Sequence, residues 1–282
     1  IQVGMLNVLE ERDVQIRGYK IRLPLDVMLL ASANPEDYTN RGRIITPLKD
    51  RFGSQIRTHY PLEVHTEVAI MRQEAVPLSI ASGDGQVDVD VPDYLADVVA
   101  TFSHLARSSN HVNQRSGVSV RLSVANYEAL AANALRRGLR AGERHVVARV
   151  DDLDALAASS MGKIEIESIE DGREGAIMEN LIKGAVLTVF KETVPPEQTR
   201  AVVDAFEEGA VAHTGEGVTS DELARLVDEF DALRAPVAVL TGGDESPAAV
   251  AAAVGFVLEG LHLSKRLNKD ASGASATYRG RT

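Results

Sequence analysis

The spacing of apolar residues changes at Pro61, and this change most restricts what the chain can fold into. Before Pro61, two alternating arms around Gly18 predict a β-hairpin, and the continuous apolar run 27–34 predicts a strand covered on both faces. After it, eight segments repeat apolar residues at helical spacing. The pattern predicts an α/β portion followed by an all-α portion.

Two further segments of the first portion complete this prediction. Residues 1–11 carry apolar residues at helical spacing, and 45–52 predict a short helix with Thr46 as its N-cap and Pro47 at its first helical position. Residues 54–61 predict a second strand, which ends at Pro61. Helices and strands therefore alternate here, as they do in part of an α/β sheet.

The helical portion divides by composition into three parts. Residues 63–160 predict a helical domain of four helices, and 161–268 predict a helical extension with four more. In the extension, Thr219 or Ser220 is positioned to cap a helix ahead of Glu222. The small, polar residues 269–282 predict a disordered tail. With the α/β portion at 1–62, the chain is predicted to have four parts.

Composition excludes several classes of protein. The formal net charge of −11 argues against a broad nucleic-acid-binding surface, although the first sixty or so residues are rich in Arg and Lys. The chain has no Cys, which excludes disulfides and Cys-based metal sites and fits a cytoplasmic protein. No window is apolar enough for a transmembrane helix, and the acidic start of the chain argues against a signal peptide.

Two residues near the end of the α/β portion have the chemistry of a phosphate site. Asn34 follows the predicted strand, at the position where ligands bind in open α/β sheets, and its amide offers both a donor and an acceptor. Arg51 carries a permanent charge and can bind phosphate oxygens through two donors. Each also has a plain structural interpretation: Asn34 begins the turn before Pro35, and Arg51 pairs with the neighbouring Asp50.

Four motifs in series, taken together, favour the phosphate interpretation. They are "MLNVLEERD", "VQIRGYKIRLP", "LLASANPED" and "LKDRFG", within residues 1–61. In this order and spacing they resemble the second half of an AAA+ ATPase core of the magnesium-chelatase and MoxR-like branch. The resemblance implies a partial αβα core with a β-hairpin insert, then a helical lid and a helical carboxyl-terminal extension.

The resemblance also implies roles for individual residues. Asn34 would be sensor 1, which helps to position the attacking water, and Arg51 would be the arginine finger that reaches a neighbouring subunit's nucleotide. The segment 116–139 resembles the lid stretch in which an arginine opens a helix and contacts the γ-phosphate as sensor 2. Arg121 matches that position, and Arg115 is the nearby alternative.

The hairpin carries a group of basic and aromatic residues that is open to two interpretations. In related ATPases, hairpins at this place project from the ring and contact a substrate or partner. The alternative is an exposed turn with solvated side chains. The residues concerned are Arg17, Tyr19, Lys20 and Arg22. The seven His residues are scattered without metal-ligand spacing, so no metal site is predicted.

Two motifs of the family are missing from this sequence. No G-x-x-x-x-G-K-[ST] is present to hold the phosphates, and neither Asp228-Glu229 nor Asp244-Glu245 follows the apolar strand that a Walker B motif requires. The family has both motifs upstream of the position of Ile1. The chain is therefore expected to be the carboxyl-terminal part of a longer ATPase, and is expected not to hydrolyse ATP alone.

The resemblance implies a function for the intact protein. It would bind ATP with Mg²⁺, assemble as a ring (a hexamer in this family), and remodel a partner carrying a von Willebrand factor A domain or insert metal into a substrate. Residues 161–268 are either a domain for partner binding or assembly, or a structural extension of the lid. Two other classes stay open: a degenerate ATPase that acts as a non-enzymatic scaffold, and a DNA-acting AAA+ protein that uses the basic hairpin.

Overall fold

The computed structural model describes residues 2–10, 13–22, 28–33, 44–82, 85–113, 117–166 and 172–281. Within it the chain divides into two compact units, Ile1–His59 and Tyr60–Thr282. The architecture is mixed α/β, with small sheets and a largely helical carboxyl-terminal part.

The first unit contains the predicted hairpin. Its elements are α1 (Gln2–Glu10), β1 (Asp13–Ile16), β2 (Tyr19–Arg22) and α2 (Thr46–Asp50). The strands pair antiparallel, with Ile16 opposite Tyr19. Both turn residues, Arg17 and Gly18, have positive φ angles of 51° and 88°, as a type I′ turn requires. The hairpin prediction is confirmed, and glycine at the second turn position explains why the chain reverses there.

The two other strands predicted in this unit are not observed. Residues 28–33 of the predicted strand 27–34 form no strand, and Met28 and Leu30 are 84% and 83% exposed. Residues 54–61 also lie outside any strand. A strand buried on both faces needs neighbours on both sides. The described residues of this unit contain only the two-stranded hairpin sheet, so nothing pairs with these segments and the predicted αβα core is not observed.

The second unit is built mainly of helices, and every segment predicted to be helical contains one. In chain order its elements are α3 (Val64–Glu74), β3 (Ser79–Ser82), β4 (Gly85–Asp90), α4 (Asp93–Ser108), α5 (Val120–Ala141), β5 (His145–Val147), α6 (Ala155–Ser160), α7 (Glu174–Thr193), α8 (Pro196–Glu207), β6 (Val211–Gly215), α9 (Ser220–Glu229), α10 (Arg234–Thr241), α11 (Pro247–Leu263), β7 (Asn268–Ser272) and β8 (Ser275–Arg279).

Two small sheets correct the prediction that this portion is all-α. One has the order β3-β4-β5, in which β4 and β5 run parallel, and the other has the order β6-β8-β7. Residues 269–282 were predicted to be disordered, but β7 and β8 form a hairpin there. Contacts with α11 hold this hairpin in place. The Tyr278 hydroxyl donates to Glu259 on α11 at 2.5 Å, and Lys269 Nζ lies 2.8 Å from the same carboxylate.

The helix α11 lies at the centre of the second unit. It packs against α7, α9 and α10, and most of its residues, including Phe256 and Leu258, are fully buried. A helix that is apolar on all sides is stable only where other elements surround it. The core cluster accordingly runs through this unit from Val68 to Tyr278. Among the described residues, no helix has both the length and the apolarity needed to cross a bilayer.

A buried ionic network joins α5 to the segment around α9. Arg137, on α5, pairs with the fully buried Asp152 at 3.0 Å. Arg149 donates to the Val218 carbonyl at 2.7 Å and to the Ser220 hydroxyl at 2.6 Å. Burial, followed by the nearby Arg137 charge, lowers the pKa of Arg149 to about 10. Burying an unpaired charge costs free energy, so these pairs must be kept in the folded state. The network therefore fixes how α5 packs against the segment that leads into α9.

Candidate functional site

Arg51 caps the carboxyl end of α2 and is held within the first unit. Its Nε donates to Glu10 Oε2 at 2.6 Å, its Nη2 pairs with the same carboxylate, and its Nη1 donates to the Pro47 carbonyl at 2.8 Å. The ion pair thus forms with Glu10, at the end of α1, and not with Asp50 as the structural interpretation predicted. The side chain remains 30% exposed, so solvent reaches the guanidinium.

The hairpin presents its tip to solvent. Tyr19 is 78% exposed, and Arg17, Lys20 and Arg22 are also exposed. Only Lys20 has an ion-pair partner in the described residues, Asp13 at 3.6 Å. A positive φ at a non-glycine residue such as Arg17 costs free energy, so this turn is held by the pairing of its strands. The tip is a basic and aromatic surface available for contact.

Arg121 occupies the second position of α5. Ser119 is the N-cap residue, and its hydroxyl accepts a hydrogen bond from the Arg121 backbone amide at 3.2 Å. The Arg121 side chain is exposed, and its Nε lies 3.4 Å from the same hydroxyl. A helix N-terminus carries a partial positive charge and free amide groups, and an arginine there adds a full charge. The arrangement suits a phosphate oxygen, and it places Arg121 in the first turn of the helix.

The loop before Arg121 is held by buried groups. Glu67 is fully buried and accepts two hydrogen bonds from Arg107, at 2.6 and 2.7 Å. Arg107 also donates to the Val118 carbonyl at 2.9 Å and lies 4.7 Å from the centre of the Tyr60 ring. Gly117 has φ 68°, and a Cβ there would lie 2.5 Å from the Tyr60 hydroxyl oxygen. These contacts fix the chain one turn before Arg121.

The pKa of Glu67 shows that this buried charge is compensated. Burial alone raises the pKa of a carboxyl group, but hydrogen bonds from Arg107 and Ser123 outweigh it, and the pKa lies below its ordinary value. His104 Nε2 lies 2.9 Å from the same carboxylate. The carboxylate is therefore ionised at neutral pH, and it anchors α3, α4 and α5 together.

Two predicted site residues lie outside the described residues. Asn34, the predicted sensor 1, falls in the gap 34–43, and Arg115, the alternative to Arg121, falls in the gap 114–116. Arg51 and the hairpin belong to the first unit, and Arg121 belongs to the second. In the part of the chain that the structure describes, no three His, Asp or Glu side chains converge as metal ligands.

Sequence reasoning missed a cavity of about 490 Å³ in the second unit. Its lining includes four aspartates and a histidine, namely Asp90, Asp93, Asp97, Asp244 and His145. These residues are spread over more than 150 positions, so no motif signals them. The one local signal is the spacing of Asp93 and Asp97, which places both on the same face of α4.

Comparison with known proteins leaves the chain without an assigned family. No protein-family model, no curated protein sequence and no solved structure matches it.

Proposed function

We propose that the chain is part of a cytoplasmic AAA+ ATPase of the magnesium-chelatase and MoxR-like branch. The intact protein couples ATP hydrolysis in a ring to remodelling of a partner that carries a von Willebrand factor A domain, or to metal insertion. The observation that carries this proposal is the series of four motifs within residues 1–61, the last of which contains Arg51. The exposed Arg121 at a capped helix start supports it independently.

The residues of this chain fit the γ-phosphate end of a bound nucleotide. Arg121 combines a helix N-terminus with a fixed positive charge, which suits an anionic phosphate. The sequence contains no P-loop to hold the β-phosphate, so this chain supplies sensing and charge neutralisation only. ATP with Mg²⁺, when bound, supplies the phosphoryl group that is transferred to water.

Arg51 would neutralise charge on that phosphoryl group from a neighbouring subunit. To do so, it must exchange Glu10 for phosphate oxygens. The Glu10 side chain is 57% exposed, and solvent-exposed ion pairs stabilise proteins by only about 0–1 kcal/mol. Breaking the pair with Glu10 therefore costs little. To reach a partner, Arg51 must also give up its hydrogen bond to the Pro47 carbonyl.

The test uses the ring-forming protein with its P-loop, which the resemblance places upstream of Ile1. Arg51→Ala should leave ATP binding intact and lower turnover by about 10³-fold or more, as loss of an arginine finger does. Lys49→Ala is the matched control, because Lys49 is an exposed cation on the same short helix. It should leave turnover unchanged.

Mixing two inactive variants separates the finger from a structural role. Rings containing both Arg51→Ala subunits and subunits without the P-loop lysine should regain part of the activity, because some interfaces then carry both groups. Glu10→Gln should keep turnover, since it removes only the resting partner of Arg51. If mixed rings stay inactive, or if Glu10→Gln loses as much turnover as Arg51→Ala, Arg51 acts as a structural anchor and the proposal fails.

A further inference from the structure

The second unit contains an acidic cavity that the proposed ATPase function does not use. It lies where the end of β4, the first turns of α4 and the start of β5 meet the ends of α7 and α10 and the first turn of α11. Its volume of about 490 Å³ falls in the range of small-ligand sites. The ligand that fits is set by the charge and shape of this lining.

Negative charge dominates the cavity wall. Asp90 is 2.9 Å from His145 Nε2, and Asp93 pairs with Arg72 on α3. Asp244 accepts the backbone amide of Ser246 at 2.8 Å. Four carboxylates therefore face two basic groups, Arg72 and His145. The wall attracts a cation.

Asp97 is the carboxylate without a partner. Among the described residues it takes part in no hydrogen bond or ion pair. Burial, and next the charge of Asp93, raises its pKa above the ordinary value for an aspartate. The charge of Arg72 lowers the Asp97 pKa, but by less than burial and Asp93 raise it. A carboxylate that is partly withdrawn from water and not fully compensated gains free energy when a further cation binds beside it.

Tyr94 supplies a second, independent feature. It is only 4% exposed, lines the cavity, and stacks at 4.7 Å between ring centres on Phe256 of α11. Its hydroxyl forms no hydrogen bond within the described residues and is not among the polar atoms sealed from solvent. Buried tyrosine hydroxyls normally have a hydrogen-bond partner. A ligand in the cavity would provide one.

The apolar part of the lining favours a particular kind of cation. Val147, Val239, Leu240 and Ala249 form an apolar surface beside the carboxylates. A hydrated metal ion gains nothing from such a surface, and the described carboxylates do not converge in the way metal ligands do. A cationic head on an aliphatic stem matches both parts, as lysine side chains do when the stem packs and the head stays polar.

We propose that this cavity binds a primary alkylammonium group, with the ammonium between Asp97 and the Tyr94 hydroxyl and the alkyl stem on the apolar surface. The group has two sources, a free diamine or polyamine, or a lysine side chain of a protein. Both present the same chemistry to the cavity, and both are tested below.

Isothermal titration calorimetry on the 282-residue chain tests the proposal with three probes. Cadaverine represents the free amine, Nα-acetyl-lysine amide represents the protein side chain, and Nα-acetyl-norleucine amide is the uncharged control. We expect the two ammonium compounds to bind and norleucine amide not to bind. The tighter of the two binders identifies the source. If neither ammonium compound binds at ligand concentrations up to about 10 mM, or if norleucine amide binds equally well, the proposal is wrong.

Three variants locate the binding. Asp97→Asn removes only the charge and should weaken ammonium binding by about 10-fold or more, since hydrogen bonds to a charged group are stronger than those between neutral groups. Tyr94→Phe keeps the ring against Phe256 and should weaken binding several-fold. Asp204→Asn, on the exposed face of α8 away from the cavity, is the control and should bind like the parent chain. Equal binding by Asp97→Asn and the parent would place the ammonium elsewhere and overturn the assignment.

Discussion

The two units of the molecule bury their apolar residues very differently. Among the residues of the first unit whose burial is described, Leu48 is the only apolar residue that is buried. Met28, Leu30 and Ile56 are largely exposed. In the second unit, a continuous core extends from Val68 to Tyr278. Hydrophobic stabilisation is roughly proportional to the apolar area removed from water. The second unit therefore supplies its own stability, and the first leaves apolar surface for other chain segments or partners to cover.

The largest expected effect comes from truncating a buried apolar side chain in the second unit and an exposed one in the first. Phe256→Ala in the second unit should lower the free energy of unfolding by about 3–5 kcal/mol, the usual cost of truncating a buried phenylalanine. Leu30→Ala in the first unit should change it by less than about 0.5 kcal/mol, as exposed substitutions do. Chemical denaturation, with hydrogen exchange to resolve the two units, measures both. Equal losses would mean that residues 28–33 are buried in solution, and the contrast would disappear.

Charge pairs sharpen the same comparison. Arg107→Ala removes the arginine that pairs with the fully buried carboxylate of Glu67, and it should lower the free energy of unfolding by about 3–5 kcal/mol. Glu10→Gln in the first unit breaks an exposed pair and should lower it by at most about 1 kcal/mol. Thermal or chemical unfolding of the two variants checks this. A cost for Glu10→Gln as large as that for Arg107→Ala would show that the pair in the first unit is buried.

The pH dependence of the Glu67 pair follows from its lowered pKa. A carboxylate whose pKa falls on folding stabilises the folded state above its unfolded value of about 4.5, and this contribution is lost as pH falls through the folded pKa. The parent chain should therefore lose stability below about pH 4.5. In Arg107→Ala, the hydrogen bonds from Arg107 no longer lower the pKa of Glu67. The free energy of unfolding of this variant should therefore fall less as the pH drops below about 4.5. An unchanged acid profile would assign the sensitivity to other carboxylates.

The smallest expected effect concerns how helices begin. In the second unit, α9 starts with a capping box: Thr219 accepts from the Glu222 amide, and Glu222 accepts from the Thr219 amide at 2.9 Å. In the first unit, α2 has no side-chain cap. Thr219→Ala should cost about 1 kcal/mol, and Thr219→Ser should restore most of it, because serine caps as well. Thermal unfolding of both variants measures this; if serine fails to restore stability, the methyl group and not the cap is responsible.

Sequence patterns identified the parts of the molecule that depend on local chemistry. The turn that contains Gly18 and the cap of α9, for which the sequence offered Thr219 or Ser220, each follow from a few neighbouring residues, and the structure contains both, with Thr219 as the cap. The prediction of Thr46 as the N-cap of α2 is wrong, because Ile45 precedes the helix and Thr46 is its first residue. Helical periodicity located the long helices because each has an apolar face over several turns.

Sequence patterns failed where a segment's state depends on distant neighbours. Residues 28–33 have the composition of a buried strand, but the described residues provide nothing to pair with them. The polar residues of β7 looked disordered, yet they pair with β8, which is fixed by the contact of Tyr278 with Glu259. The acidic cavity was invisible for the same reason, because its aspartates converge only through the packing of six elements.

The central position of α11 has a consequence for how the protein is made. A ribosome synthesises the chain from its amino end, so α4 and α7 emerge well before the helix against which they pack. Until residues 247–263 arrive, the part of those earlier helices that faces α11, including Tyr94 and Phe190, has no native cover, and such apolar surface attracts chaperones or other nascent chains. Pairing residues this far apart in sequence also slows folding. The core of the second unit therefore cannot be completed until α11 has been synthesised.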